Sequence, residues 1–149
     1  MVHNPVEDIG EKMLQNLSLD GKTVVITGAG TGLGREMALA MARAGADLAI
    51  GARCMGPIEE VASLVRDMGR RSIAVSVDVT ESTQVNALIQ AALDEFGVVD
   101  VLLNNAGIVR GHGAVPIWDI TDDDWRLGID TNMTGSFYAS RAVAKHMVE

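Results

Sequence analysis

A segment of alternating glycines, Thr27-Gly28-Ala29-Gly30-Thr31-Gly32-Leu33-Gly34, holds the residues best suited to chemistry. It follows an apolar run at residues 23–26 and precedes a helical pattern, and this layout is typical of a turn that cradles a phosphate. Gly28 would form the sharp turn, Gly32 would admit a phosphate close to the backbone, and Gly34 would let the helix pack on the strand. The free N–H groups of the helix N-terminus, from Thr31 and Leu33 onward, would then bind the pyrophosphate of a dinucleotide.

The spacing of these glycines leaves a second interpretation open, because glycines at such positions also form ordinary tight turns. The pattern is Thr-Gly-x-x-x-Gly-x-Gly rather than the common G-x-G-x-x-G. A Walker-type phosphate loop is excluded, since the segment lacks the Lys-Ser/Thr pair that this loop requires.

The elements that must position this turn follow from the hydrophobic pattern. Apolar runs predict strands at 23–26, 47–50, 72–77 and 99–103, and period-3.6 patterns predict helices at 33–44, 57–68, 81–96 and from Thr121 towards His146. Thr80 is the predicted N-cap of the third helix, and Thr121 with Asp124 resembles a capping box at the start of the fourth. Strict alternation of strand and helix predicts an α/β fold with a parallel sheet and right-handed crossovers. Residues 1–17 are predicted to be a leader and residues 18–149 the domain.

Three further motifs lie in order along the chain. Asp78-Val79-Thr80 follows the third strand, Asn104-Asn105-Ala106-Gly107 follows the fourth, and Asp130-Thr131-Asn132-Met133-Thr134-Gly135 lies in the last helix. Together with the glycine turn, they make residues 18–149 resemble the short-chain dehydrogenase/reductase family. The resemblance implies a doubly wound Rossmann fold with strand order 3-2-1-4, which binds NAD(P). It also implies hydride transfer between the nicotinamide and a small alcohol or carbonyl substrate.

The resemblance also implies roles for individual residues. Asp78 would accept a hydrogen bond from the adenine amino group, with the Val79 backbone lining the same pocket. Asn105, with Ala106 and Gly107, would stabilise the central sheet and border the nicotinamide ribose. Asn132 would belong to a proton relay and hold a water next to a catalytic lysine. The structural alternatives are a helix cap or turn residue for Asp78 and a solvent-facing side chain for Asn132.

The end of the second strand bears on the choice between NAD and NADP. An acidic residue about 20 residues past the glycines usually binds the ribose hydroxyls of NAD. Here Asp47 lies at the wrong end of the strand, and Arg53 lies where a guanidinium would pair with a 2′-phosphate. The sequence therefore favours NADP over NAD, with assistance from Arg35. The alternative is that Arg53 stacks on adenine or faces solvent.

Catalysis in the family needs a serine and a Tyr-x-x-x-Lys pair. The chain has one tyrosine, Tyr138, and the residue four positions later is Ala142. We therefore interpret Tyr138 as a packing residue and the chain as the first half of a dehydrogenase, inactive alone. The alternative is a non-catalytic dinucleotide-binding or assembly module. Without a fifth strand, residues 101–103 would form an apolar sheet edge, which favours association into a homo-oligomer.

Composition excludes several other classes of function. The 149 residues carry a net charge of −8 without a basic patch, which argues against nucleic acid and anionic membranes as partners. Cys54 is the only cysteine, so an intrachain disulfide is impossible, and the three histidines lack metal-ligand spacing. We expect no metal site. With neither a signal peptide nor a membrane span in the pattern, we expect a cytoplasmic protein. Trp118 and Trp125 are predicted to be packing residues.

Overall fold

The computed structural model describes residues 17–108 and 115–149. Within these ranges the chain alternates between strands and helices, as the pattern predicts. The strands are β1 (Thr23–Thr27), β2 (Asp47–Ala52), β3 (Ser72–Ser76) and β4 (Val101–Leu103). The α-helices are α1 (Gly32–Arg43), α2 (Met55–Asp67), α3 (Ser82–Phe96), α4 (Asp122–Ile129) and α5 (Gly135–Val148). A short 3-10 turn spans Ile117–Asp119, and a π-helical turn, Asp130–Thr134, joins α4 to α5. The first sixteen residues of the predicted leader lie outside the described residues.

The four strands form one parallel sheet in the order β3-β2-β1-β4, which confirms the expected topology. All five residues of β1 are buried, as expected for a central strand that is apolar on both faces. β4 pairs only with β1 and lies at the edge of the described sheet. All four strands run in the same direction, so their C-terminal ends lie at the same edge of the sheet. The glycine turn, which follows β1, therefore lies beside the segments that follow β2, β3 and β4.

Two hydrophobic layers sandwich the sheet because alternate residues of each strand point to opposite faces. Val24 and Ile26 pack with α1 and α2 on one face, and Val25 packs with α3 and α5 on the other. Aliphatic side chains fill both layers, consistent with the low aromatic content. Trp118 and Trp125 do not contribute: they are 82% and 65% exposed, so the prediction that they are packing residues is wrong.

Several helix boundaries differ slightly from the predictions. α2 begins at Met55, two residues before Pro57, and α3 has Glu81 as its N-cap where Thr80 was predicted. Thr80 instead donates hydrogen bonds to Asp78 through its N–H and its hydroxyl. The predicted cap at Thr121 is confirmed, because its hydroxyl accepts a hydrogen bond from the Asp124 N–H at 3.1 Å. In the described residues, none of the helices is both long enough and apolar enough to span a membrane.

Candidate dinucleotide site

A cavity of about 330 Å³ opens at the edge of the sheet where the strands end. This is the edge at which open α/β sheets bind their ligands. Its lining comes from the glycine turn, from the ends of β2, β3 and β4, and from the first turns of α2 and the end of α4. The lining residues are Gly28, Gly30, Thr31, Ala52, Arg53, Cys54, Pro57, Val77, Asp78, Val79, Thr80, Ala106, Gly107, Ile108, Leu127 and Thr131.

Seven of the predicted site residues line this cavity: Gly28, Thr31, Arg53, Asp78, Val79, Ala106 and Gly107. Gly32, Leu33, Gly34, Asn105 and Asn132 are absent from its walls. The twelve predicted site residues therefore divide into seven that line the cavity and five that lie outside its wall.

The glycine turn needs glycine for two different reasons. Gly28 has a φ of +70°, and a Cβ there would lie 2.7 Å from the Ala106 Cα, so a side chain would collide with the β4 loop. Gly34 lies against the Gly28 carbonyl oxygen and the Asn105 amide, which leaves no room for a Cβ either. The turn is therefore a close approach of three backbone segments, in which Gly34 supports the cavity wall from behind.

The N-terminus of α1 fits a phosphate. Its N-cap residue, Thr31, makes no side-chain capping hydrogen bond, and its first turn contains no acidic residue. At Gly32 no described atom lies within 4 Å of where a Cβ would stand. The first backbone N–H groups of α1 have no intrahelical acceptor, and together with the positive end of the helix dipole they form the kind of terminus that binds an anion.

Asn105 ties the glycine turn to the end of β4. Its side-chain Nδ2 donates to the carbonyl oxygens of Thr27 at 2.9 Å and Gly28 at 3.0 Å. The Thr27 hydroxyl in turn accepts hydrogen bonds from the N–H groups of Asn105 and Ala106. The predicted sheet-stabilising role of Asn105 agrees with these contacts. Thr27 was not predicted as a site residue, although its place before Gly28 in the motif was a usable signal.

Asp78 has a turn-forming role that is visible in its hydrogen bonds. Its Oδ1 accepts from the Thr80 N–H at 3.0 Å and from the Thr80 hydroxyl at 2.8 Å. The Asp78 N–H donates to the Gln84 side chain at 2.9 Å. These bonds direct the chain from β3 into α3 while Asp78 and Val79 remain in the cavity wall. The turn interpretation and the binding interpretation are therefore compatible.

Asn132 lies in the π-helical turn and clamps the segment that follows β4. Its Oδ1 accepts from the Ile108 N–H at 2.8 Å, and its Nδ2 donates to the Ile108 carbonyl at 3.0 Å. Both ends of the amide are thus hydrogen-bonded to one residue, although Asn132 is exposed. The neighbouring Thr131 and the clamped Ile108 line the cavity, so Asn132 positions two of its walls.

The two arginines considered for a phosphate differ in their surroundings. Arg35 pairs with Glu36 at 2.7 Å and lies outside the cavity wall. Arg53 is exposed, lines the cavity, and its guanidinium makes no hydrogen bond or ion pair within residues 17–108 and 115–149. Arg53 is therefore the cation available to a ligand in this cavity.

No group of three or more potential metal-ligating side chains occurs in the described part of the chain. His3 and His112, two of the three histidines, lie outside that part. Tyr138 packs against the layer formed with α3, and Arg141 stacks over its ring at 5.1 Å.

Comparison with known proteins gives a consistent result. A sequence model of the family described as short chain dehydrogenase matches residues 22–149. The chain is 37% identical, over 91% of its length, to 52% of the 2-dehydro-3-deoxy-D-gluconate 5-dehydrogenase of Escherichia coli (strain K12). It is 36% identical, over 89% of its length, to 50% of the 7alpha-hydroxysteroid dehydrogenase of the same organism.

Solved structures share the fold. A short-chain type dehydrogenase/reductase from Mycobacterium marinum matches 91% of this chain with a TM-score of 0.83 and 35% identity, over 54% of its own length. A short chain dehydrogenase/reductase from Burkholderia phymatum, solved in complex with NAD, matches 87% with a TM-score of 0.81 and 36% identity, over 45% of its own length. The chain spans about half the length of the curated relatives it matches.

Proposed function

The chain belongs to the short-chain dehydrogenase family, and from this premise we propose that it binds NADP(H) and forms the cofactor-binding part of an oxidoreductase. One observation carries the proposal: the glycine turn, Asp78, Ala106 and Arg53 line a single cavity at the carboxyl edge of a parallel sheet. The nicotinamide cofactor would supply the hydride chemistry, and the substrate would be a small alcohol or carbonyl compound. The dehydrogenase relatives support this substrate class.

Each part of the cavity has a task in this proposal. The free N–H groups at the start of α1 would hold the pyrophosphate, with Gly32 leaving room for close approach. The Oδ1 of Asp78 already accepts two hydrogen bonds from Thr80, so its other oxygen would accept a hydrogen bond from the adenine amino group, next to the Val79 backbone. Ala106 and Gly107 would border the nicotinamide ribose. Leu33, which is 71% exposed, would act through its backbone N–H group rather than its side chain.

NADP is favoured over NAD because the guanidinium of Arg53 is available at the cavity wall, and the preceding residue, Ala52, offers no carboxylate to the ribose. An arginine forms bidentate, charge-assisted hydrogen bonds with a phosphate. A carboxylate at position 52 or 53 would instead repel a 2′-phosphate and favour the free ribose hydroxyls of NAD.

Titration calorimetry with NADP⁺ and NAD⁺ tests the proposal directly. We expect tighter binding of NADP⁺, and about a tenfold or greater loss of NADP⁺ affinity in Arg53→Ala, because a hydrogen bond to a charged group contributes about 1.5–3 kcal/mol. Affinity for NAD⁺ should change little. Arg43→Ala, which removes a positive charge at the other end of α1, is the matched control and should retain the NADP⁺ preference. Tighter binding of NAD⁺ by the parent chain would overturn the proposed cofactor preference.

In catalysis, Asn132 would position a proton relay, and we expect no turnover by these 149 residues alone. Asn132 holds Ile108 through both backbone groups, and the one tyrosine, Tyr138, lacks a lysine four residues later. Alcohol oxidation assayed at high protein concentration should stay at background. Cofactor binding without turnover would also fit the alternative, a non-catalytic dinucleotide-binding or assembly module. A Tyr-x-x-x-Lys motif encoded downstream in the same gene would argue against that alternative.

Self-association is part of the same proposal. Within the described sheet, β4 pairs only with β1, and α5 with its preceding turn carries exposed apolar side chains, Met133 at 64% and Phe137 at 56%. Such surfaces favour contact with a further copy of the chain. Sedimentation analysis should give a mass above that of the monomer, whereas a sharp monomeric boundary would contradict this. Cytoplasmic location remains a prediction from the sequence.

A further inference from the structure

The hydroxyl of Ser76 holds the backbone of Arg53. β2 ends at Ala52, whose carbonyl accepts a hydrogen bond from the Val77 N–H at 3.0 Å. The next carbonyl along the chain, that of Arg53, lies beyond the end of the strand and accepts a hydrogen bond from the Ser76 hydroxyl at 3.2 Å. The hydrogen bonds between the β2 and β3 segments therefore continue one residue past the end of β2, to Arg53, through the Ser76 side chain.

This backbone contact matters because the side chain of Arg53 itself makes no hydrogen bond or ion pair in the described residues. Arg53 and the following Cys54 are exposed, and Cys54 is the N-cap of α2. A long arginine side chain samples many rotamers, so its reach depends on where its own backbone is held. Arg53 lines the cavity and Ser76 does not. Arg53 could therefore contact a ligand there directly, whereas Ser76 could act only through Arg53.

We propose that Ser76 is a positioning residue for cofactor selectivity, which acts by holding the Arg53 peptide so that the guanidinium reaches the 2′-phosphate of NADP. The inference rests on the proposed NADP preference. Ser76 contributes to the discrimination of NADP from NAD without contacting either cofactor. Ser76→Ala removes the hydrogen bond, whereas Ser76→Thr retains a hydroxyl and favours a strand.

The test is a double-mutant cycle measured by titration calorimetry with NADP⁺ and NAD⁺, using the parent chain, Ser76→Ala, Arg53→Ala and the double variant. We expect Ser76→Ala to weaken NADP⁺ binding by about twofold to tenfold, the range for one neutral hydrogen bond, and to leave NAD⁺ binding within about twofold. The double variant should bind NADP⁺ no more weakly than Arg53→Ala. Ser76→Thr should restore the parent's ratio of the two affinities.

One control variant separates positioning from a general effect on stability. Ser63→Ala removes an exposed hydroxyl on α2 that makes no hydrogen bond to the described residues, and it should leave both affinities unchanged. Equal weakening of NADP⁺ and NAD⁺ by Ser76→Ala, or additive losses in the double variant, would show a merely structural role and overturn the inference. An unchanged NADP⁺ affinity would also overturn it.

The same measurements distinguish a failure of the Ser76 role from a failure of the proposed NADP preference. If the parent prefers NADP⁺ and Arg53→Ala abolishes that preference while Ser76→Ala does not, only the role of Ser76 fails. If the parent binds NAD⁺ more tightly, or Arg53→Ala has no effect on NADP⁺ binding, the NADP assignment fails and the role of Ser76 fails with it.

Discussion

Thr27 and Asn105 bind each other's backbone where β1 and β4 end. The Thr27 hydroxyl accepts hydrogen bonds from the N–H groups of Asn105 at 3.2 Å and Ala106 at 3.1 Å, and the Asn105 amide donates to the Thr27 carbonyl at 2.9 Å. Thr27 is only 2% exposed, so its hydroxyl and carbonyl have little access to water. The reciprocal contact fixes the glycine turn relative to the loop after β4, and both line the proposed cofactor cavity.

Replacing Thr27 with valine tests the energetic importance of this contact. Valine has nearly the same shape but no hydroxyl, so the Ala106 N–H loses its acceptor, whereas the Asn105 N–H keeps its hydrogen bond to the Leu103 carbonyl at 3.0 Å. One unsatisfied buried group costs about 1–3 kcal/mol, and we expect the free energy of unfolding to fall by about that amount. Urea denaturation measures the change. Thr27→Ser, which keeps the hydroxyl, should lose much less, and equal stability of the valine variant and the parent would contradict the assigned role.

Asn132→Ala tests the clamp on Ile108. The substitution removes one acceptor and one donor at once, and we expect the loop after β4 to loosen and the affinity for NADP⁺ to fall several-fold. Asn132→Asp is the informative comparison, because a carboxylate still accepts from the Ile108 N–H but faces the Ile108 carbonyl without a donor. By titration calorimetry, both variants should bind NADP⁺ more weakly than the parent does. Unchanged affinity in the alanine variant would show that the clamp does not shape the cavity.

Gly135→Ala probes the contact between α5 and the segment after β3. A Cβ at Gly135 would lie 2.8 Å from Cγ2 and 3.1 Å from the carbonyl oxygen of Val79, so helix and backbone must separate. Overpacking of this kind costs about 1–3 kcal/mol, and the melting temperature should fall. Gly128→Ala in α4 is the matched control: no described atom lies within 4 Å of its Cβ position, and the higher helix propensity of alanine should leave stability equal or greater.

Asp100 should make stability depend on pH in the acidic range. The hydrogen bond from the Lys22 ammonium at 2.8 Å, and then the bond from the Thr23 N–H, hold the pKa of Asp100 below its ordinary value. Because the carboxyl has a lower pKa in the folded chain than in the unfolded chain, its contribution is present above the unfolded pKa of about 3.9 and is lost as pH falls through the folded pKa.

Urea denaturation of the parent and Asp100→Asn across this range measures that contribution. The parent should be the more stable near neutral pH, and the difference should narrow as pH falls below about 4. Asp67→Asn, at the exposed end of α2, corrects for the loss of one acidic residue. A difference that stays constant or widens on acidification would contradict the assignment.

Local sequence signals predicted the elements well because the forces behind them act within a few residues. Apolar periodicity placed all four strands, and Thr121 capped α4 as its spacing with Asp124 indicates. The order β3-β2-β1-β4 also agrees with the expectation from the family resemblance. Signals of the same kind were less accurate at the start of α3, where Asp78 binds Thr80 and leaves Glu81 as the cap.

The chain's own sequence determined the alternation of strands and helices, the glycines that the turn requires, and Arg53 as the available cation without an acid beside it. The tertiary structure decided which of the predicted site residues line the cavity and which hold the lining segments in place. Asn132 meets Ile108 across 24 residues, Ser76 meets Arg53 across 23, and Asn105 meets Thr27 across 78. Such pairs form only when packed strands and helices bring distant segments together. No local pattern specifies that proximity, since hydrogen-bonding capacity in a side chain does not identify its partner.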